Sequence, residues 1–345
     1  MVIGFIIASG HSRRCVTLGR VKTLAENLCF AALLGSATFA QTALHIPAGS
    51  DAATEIPISI IKGAKPGPTL AVLAGLSGTD YGPMIALHQL GKNLDPAAIS
   101  GTLILVHIAN LPAFLGRSIS LSPIDQKDLI RSFPGKPDGT VTERIAHALT
   151  TQVIDKADAV VVVEAGAINT MLAPHVLLTK SGDAELDAKV AAMTMAFGIG
   201  YIVAAKAPPG SPENIALARS KPALKVMCGA LGMNDQRTTD TIVKGVLGLM
   251  NMFGLIPDNA NKTRSPVYFD STTTVVSPIT GFLEIYIQRG QNIRKGEPLF
   301  GIIGFNGKNK QIANSPIDGI ILSIQANPPI QKGEPIALIG IPREP

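Results

Sequence analysis

Short apolar runs alternate with stretches of helical periodicity along most of this chain. Runs at Ile58–Ile61, Thr69–Ala74, Thr102–Ile108, Ala159–Val163, Val176–Thr179, Tyr201–Ala204 and Leu224–Cys228 predict buried strands. Between them, Pro83–Leu90, Val141–Val153, Ala184–Phe197 and Thr239–Phe253 predict helices. Alternation of this kind predicts an α/β domain with a largely parallel sheet and helices on both faces. After Pro257 the stretch DNANKTRSP is polar and turn-rich and reads as a linker, followed by short strands punctuated by Gly and Pro. The expected organisation is a domain over 41–258, a linker over 259–265 and a small β domain over 266–345.

The last segment contains an internal repeat. Ser277-Pro278-Ile279-Thr280-Gly281 recurs as Ser315-Pro316-Ile317-Asp318-Gly319, and Arg294-Lys295-Gly296-Glu297-Pro298 recurs as Gln331-Lys332-Gly333-Glu334-Pro335. This arrangement resembles the lipoyl/biotinyl-like hairpin fold, which implies a small β-barrel. No Met-Lys-Met or Asp-Lys-Ala triplet stands at a hairpin tip, so the barrel is expected to be structural, without a swinging arm.

Residues 1–40 have the order of a secretory signal: basic residues, the apolar stretch Leu28–Leu34, then small residues up to Thr38-Phe39-Ala40. The apolar stretch is too short to span a bilayer. The expectation is a periplasmic or secreted protein with no membrane segment in its mature form; the alternatives are an ordinary N-terminal helix and a cytoplasmic location. The net charge of +5 owes +3 to this leader, through Arg13, Arg14, Arg20 and Lys22 against Glu26. No dense basic run remains, Trp is absent and aromatics make up 4% of the chain, which argues against nucleic acid as a partner. Cys15 and Cys29 fall in the leader, leaving Cys228 without a disulfide partner, and no CxxC pair offers a cysteine zinc site.

The candidate chemistry lies where strands end. Thr69–Gly82, TLAVLAGLSGTDYG, reads as a strand, a glycine-bracketed loop and a helix start, and strand ends in α/β sheets are where ligands bind. The loop resembles the first metal-binding loop of the succinylglutamate desuccinylase/aspartoacylase branch of the zinc carboxypeptidase-like hydrolases, Gly-x-His-Gly-x-Glu. The block FPGKPDGTVTERIAH, Phe133–His147, resembles the family's FPG loop and following helix, and GTLILVHIAN, Gly101–Asn110, its second core strand. The resemblance covers nearly the whole chain after residue 41. It implies a mixed sheet flanked by helices, zinc held by two His and one Glu, a separate Glu as general base, and an Asn-Arg pair that grips a substrate carboxylate.

Carried over position by position, the resemblance places Ser77 at the first His, Asp80 at the Glu and Glu164 at the second His. Met227 stands at the general base, in PALKVMCGA, and Ile130-Arg131 at the Asn-Arg pair. Both imidazoles and the base are replaced. Arg117, Arg131 and Arg144 are candidates for an anion-binding rim, since guanidinium forks suit carboxylates. The leading expectation is a catalytically degenerate relative, a pseudoenzyme. It would bind a small carboxylate, N-acyl amino acid or peptide, or a partner: a second copy of itself or an active paralogue. It would need no cofactor. The alternative is a working amide hydrolase in which Ser77, Asp80 and Glu164 hold Mg²⁺, Ca²⁺ or Mn²⁺ through oxygen. A third reading leaves Asp80 and Glu164 as solvated cleft carboxylates paired with Arg131. A decaying gene product without selected function also stays open. Isolated histidines and Cys228 read as structural.

Overall fold

The computed structural model describes residues 37–257 and 265–343. The expected leader lies outside the described residues except for its last positions, and the expected linker outside them except for Ser265. Thr38-Phe39-Ala40, the expected cleavage region, form the first rungs of strand β1 (Thr38–Ile46), so the folded domain begins before residue 41.

β1 runs antiparallel to β2 (Thr54–Lys62). Then come β3 (Lys65–Ala74), α1 (Tyr81–Asn93), β4 (Ser100–Val106), α2 (Leu111–Leu115), α3 (Val141–Gln152) and β5 (Ala159–Glu164). β6 (Thr170–Leu172), β7 (His175–Thr179), α4 (Ala184–Phe197), β8 (Tyr201–Ala205), α5 (Pro212–Ala218), β9 (Ala223–Met227) and α6 (Gln236–Met252) complete this part. The sheet order is β1-β2-β4-β3-β5-β9-β7-β8.

The sheet is mixed rather than largely parallel. β4, β3, β5 and β9 run parallel, but β2 is antiparallel to β4 and β7 is antiparallel to β9. The short link from β5 to β7 explains part of this. It contains no helix, and a return to parallel pairing needs a crossover of a dozen or more residues. The unbroken valine run of β5 is buried on both faces. Val160 and Val162 pack with Ile145 and Leu149 of α3 and Ala216 of α5. Val161 and Val163 pack with Leu87 of α1, Met193 of α4 and Ile242 of α6.

The C-terminal segment does not form the separate closed barrel that its repeat implies. It contains β10 (Val267–Val276), β11 (Gly281–Ile285), β12 (Asn292–Ile293), β13 (Pro298–Ile303), β14 (Gln311–Asn314), β15 (Gly319–Gln325), β16 (Pro329–Ile330) and β17 (Pro335–Pro342). β10 is long enough to pair with β8 through Val267–Phe269 and with β17 along the rest, so β10, β17, β15 and β12 extend the main sheet. β14, β13, β11 and β16 form a second sheet. Leu283 and Phe300 of that sheet share a core with Ile321 and Ile339 of the first.

The repeat itself is real in three dimensions and is exchanged between its halves. Ser277 and Ser315 donate their hydroxyls to Ile279 and Ile317 carbonyls, 2.6 Å in both cases. Each SPxxG turn then bonds to the other half's KGEP turn, Ser277 N to Glu334 O at 2.9 Å and Ser315 N to Glu297 O at 2.8 Å.

Candidate functional site

β3, β5 and β9 are parallel neighbours, so their carboxyl ends open on one edge of the sheet. Ser77 and Asp80 follow β3, Glu164 closes β5 and Met227 closes β9. The structure thus brings together the four positions derived from the motif.

The loop from Ser77 to Asp80 is held tightly. Gly78 N donates to Ile119 O at 3.1 Å, and a side chain at Gly78 would collide with the Ala113 and Ser118 carbonyls. Ser77 Oγ donates to the same Ile119 carbonyl at 2.5 Å. Asp80 accepts from Ser77 N through Oδ2 and from Ala165 N through Oδ1, 3.0 Å each. Asp80 is buried, and burial together with the Glu164 charge pushes its carboxyl up to about 8.

Glu164 meets a residue that the motif did not point to. Lys225 Nζ lies 3.0 Å from Glu164 Oε1 and 3.4 Å from Glu213 Oε1. All three side chains are almost fully enclosed. Glu213 sits in the first turn of α5, behind the N-cap Ser211, and both its carboxylate oxygens are buried without a hydrogen-bond partner among the described residues. Burial pushes Glu164 upward, against the pull of Lys225. Lys225 is pushed down by burial, but Glu164 and Glu213 outweigh this and hold it above the ordinary lysine range. The ammonium is therefore charged at neutral pH.

Cross-strand pairing sets the rest of the row. Glu164 pairs with Met227 across β5 and β9, and Met227 pairs with His175 across β9 and β7. The three side chains stand side by side on the face that also carries Lys225. His175 is buried; its Nδ1 is 2.8 Å from Ala173 O, which can only accept, so the ring donates there and Nε2 keeps its lone pair. Burial holds this imidazole below its usual pKa, in the neutral form.

The three arginines do not form one rim. Arg131 is exposed and its Nε is 3.8 Å from Asp128 Oδ2. It pairs with Asp128 rather than with Asp80 or Glu164, and those two carboxylates are buried rather than solvated. Arg117 is exposed on the loop that leads to Ile119. Arg144 is engaged inside the fold rather than on a rim. It is buried and donates to the carbonyls of Pro47, Gly139, Asp51 and Ala52 at 2.6–3.4 Å, tying α3 to the loop after β1. Glu-Arg in a first helical turn reads as surface charge; here the helix turns Arg144 inward.

Cys228 is fully buried and its thiol is pushed up to about 12 by burial, which removes it as a nucleophile. His107 pairs with Ser59 Oγ at 2.8 Å and is pushed down to about 4 by burial and His88. A cavity of about 710 Å³, lined by Tyr81, Met84, His88, His107 and Phe114, adjoins α1, but none of Asp80, Glu164, Lys225 and Met227 lines it.

Residues 66–253 match the catalytic domain described as that of succinylglutamate desuccinylase/aspartoacylase. The chain belongs to this family. It is 26% identical over 310 residues to the N-alpha-acetyl-L-2,4-diaminobutyric acid deacetylase of Halomonas elongata, spanning 86% of this chain and 90% of that one. The product-bound ectoine utilization protein EutE (DoeB) of Ruegeria pomeroyi superposes with a TM-score of 0.83 at 25% identity, covering 90% of this chain and 98% of that one. A succinylglutamate desuccinylase from Silicibacter sp. TM1040 shares the fold, with a TM-score of 0.82 at 24% identity over 91% and 98% of the two chains.

Against the metal of that family, the donors of this desuccinylase/aspartoacylase-family member do not fit. Ser77 offers a neutral hydroxyl where the family has an imidazole, both Asp80 oxygens accept backbone amides, and Glu164 faces an ammonium. Among the described residues no three His, Cys, Asp or Glu side chains are grouped to hold a metal ion.

Lys225 and His175 were missed in the sequence. Lys225 had a legible signal: it is the one charge in the strand run ALKVM, and a charge in a buried strand needs a counter-charge. Glu213, in Ser-Pro-Glu at a helix start, reads as an ordinary complement to the helix dipole. His175 had none, because its place beside Met227 depends on the antiparallel turn-back of β7.

Proposed function

We propose that the cleft at the ends of β3, β5 and β9 binds a small N-acylated amino acid or related carboxylate, and that it does so without the family's zinc hydrolysis. The observation that carries this is the Lys225 ammonium 3.0 Å from Glu164, which is the residue at the second zinc-histidine position. With Met227 at the position of the base, no side chain there takes a proton from water. Arg131 and Arg117 are exposed guanidinium groups that suit a ligand carboxylate. Titration of the full chain with N-acetyl and N-succinyl amino acids tests the reading: saturable heat and no released acetate or succinate are expected. No binding to any of them overturns it.

A second reading is hydrolysis of the same amides from a rebuilt centre. The likeness to the Halomonas deacetylase over most of both chains favours turnover over binding alone. Two features support it. The neutral His175 keeps an acceptor nitrogen beside Met227, and burial lifts the Asp80 carboxyl well above the ordinary carboxylate range. Strongly shifted groups gathered at a strand-end cleft are a feature of active sites, whereas an apolar filling would be the cheaper way to close an idle one. Product release that disappears in Glu164→Gln establishes this reading and ends the first.

A further inference from the structure

The centre of the site holds more carboxylate than cation. Glu164 and Glu213 are each less than a tenth exposed, and Lys225 is the one ammonium paired with both. The Glu213 carboxylate is 2% exposed, and among the described residues neither of its oxygens has a hydrogen-bond partner, Oε1 meeting Nζ only as an ion pair at 3.4 Å. Buried carboxylates require a positive partner, and in a metal hydrolase that partner is a divalent ion. Here it arrives on a side chain. Lys225 pairs with Val162, two residues before Glu164 closes β5, so its stem runs along the sheet and delivers the charge at the strand ends.

We propose that the Lys225 ammonium is a tethered cation that takes the electrostatic place of the family's metal, completing the centre and excluding a divalent ion for as long as it stands there. The inference rests on the reading that the site works without zinc, but it concerns what fills the centre and holds whether or not a ligand binds. Two consequences follow from the geometry. A second cation of higher charge cannot approach Glu164 and Glu213 past an ammonium already within 3.0–3.4 Å of both. Removing that ammonium leaves two carboxylates around the place it held, with Glu164 Oε1 and both Glu213 oxygens free of hydrogen-bond partners among the described residues, and an oxygen set of this kind suits Mn²⁺ or Mg²⁺.

The test compares wild type with Lys225→Ser, which removes the charge and leaves room for a hydrated ion. The full chain is incubated with Mn²⁺, desalted and analysed for metal, and its melting is followed with Mn²⁺ or with EDTA. Wild type is expected to retain no stoichiometric metal and to melt alike in both. Lys225→Ser is expected to gain about one Mn²⁺ per chain, binding it at least about tenfold more tightly than wild type, and to melt higher with Mn²⁺ than with EDTA. Adding Glu164→Gln and Glu213→Gln should abolish the gain. A Lys225→Ser chain that folds with no gain in metal, or that fails to fold even with Mn²⁺ present, overturns the inference while leaving the zinc-free reading standing. Stoichiometric metal in wild type, lost on Asp80→Ala, overturns both.

Discussion

Asp80 Oδ1 accepts the amide of Ala165 at 3.0 Å, immediately beyond Glu164. This bond ties the loop after β3 to the end of β5, and both carboxyl side chains, Asp80 and Glu164, are buried there. It also makes the stability of the fold sensitive to pH. Burial first, and then Glu164, lift Asp80 from 3.8 to about 8, so the native state holds a proton that the unfolded chain has released. Stability from this group is full below the unfolded value and is lost as pH rises through the folded one. His107 and His175, held neutral by burial, act in the opposite sense only below their ordinary 6.5. Urea unfolding between about pH 6.5 and 8 should therefore show stability falling as pH rises. Asp80→Asn should flatten that slope. A wild type with no slope there contradicts the assignment.

Arg144→Ala should cost about 3 kcal/mol of unfolding free energy, because it leaves buried carbonyls without donors. Arg144→Lys should recover little of it, since one ammonium cannot replace a fork that reaches several carbonyls. Ligand affinity of the protein that remains folded should not change. A loss of affinity with unchanged stability would return Arg144 to the binding rim.

His175→Gln keeps the size of the side chain roughly and removes the free ring nitrogen. If that nitrogen meets the ligand, the substitution should weaken binding about tenfold, the worth of one hydrogen bond, and change stability by less than about 1.5 kcal/mol. Calorimetric titration of the variant checks it. Unchanged affinity would leave His175 as a packing residue only.

Restoring the family's side chains at the four motif positions, through Ser77→His, Asp80→Glu, Glu164→His and Met227→Glu, should not restore zinc binding by itself. The Lys225 ammonium would remain beside Glu213 and the new Glu at 227. Zinc should appear only when Lys225→Met is added, as elemental analysis of both variants would show. Zinc in the quadruple variant alone would mean that Lys225 does not guard the centre.

Much of this was legible in the sequence, for reasons particular to each element. The valine run of β5 and the periodicity of α3 and α4 gave their positions nearly to the residue, because both express burial directly. The resemblance to the family's motifs, carried over position by position, gave Ser77, Asp80, Glu164 and Met227 their common place. The antiparallel course of β7 was not legible, since a short apolar run carries no direction, and His175 was hidden with it. β1 is exposed along most of its length and lacks an apolar alternation, so its first residues read as the end of a leader. The repeat in the last segment was plain, but how β10 divides its pairing between β8 and β17 depends on tertiary contacts.

The central claim, that this cleft recognises small N-acylated amino acids without zinc, is tested most directly by one titration. Wild-type protein is treated with EDTA, desalted and titrated calorimetrically with N-acetyl and N-succinyl amino acids, while released acid is followed by NMR. The account predicts saturable binding that is the same before and after EDTA, with no acid released. Hydrolysis that EDTA abolishes and added zinc restores would contradict it.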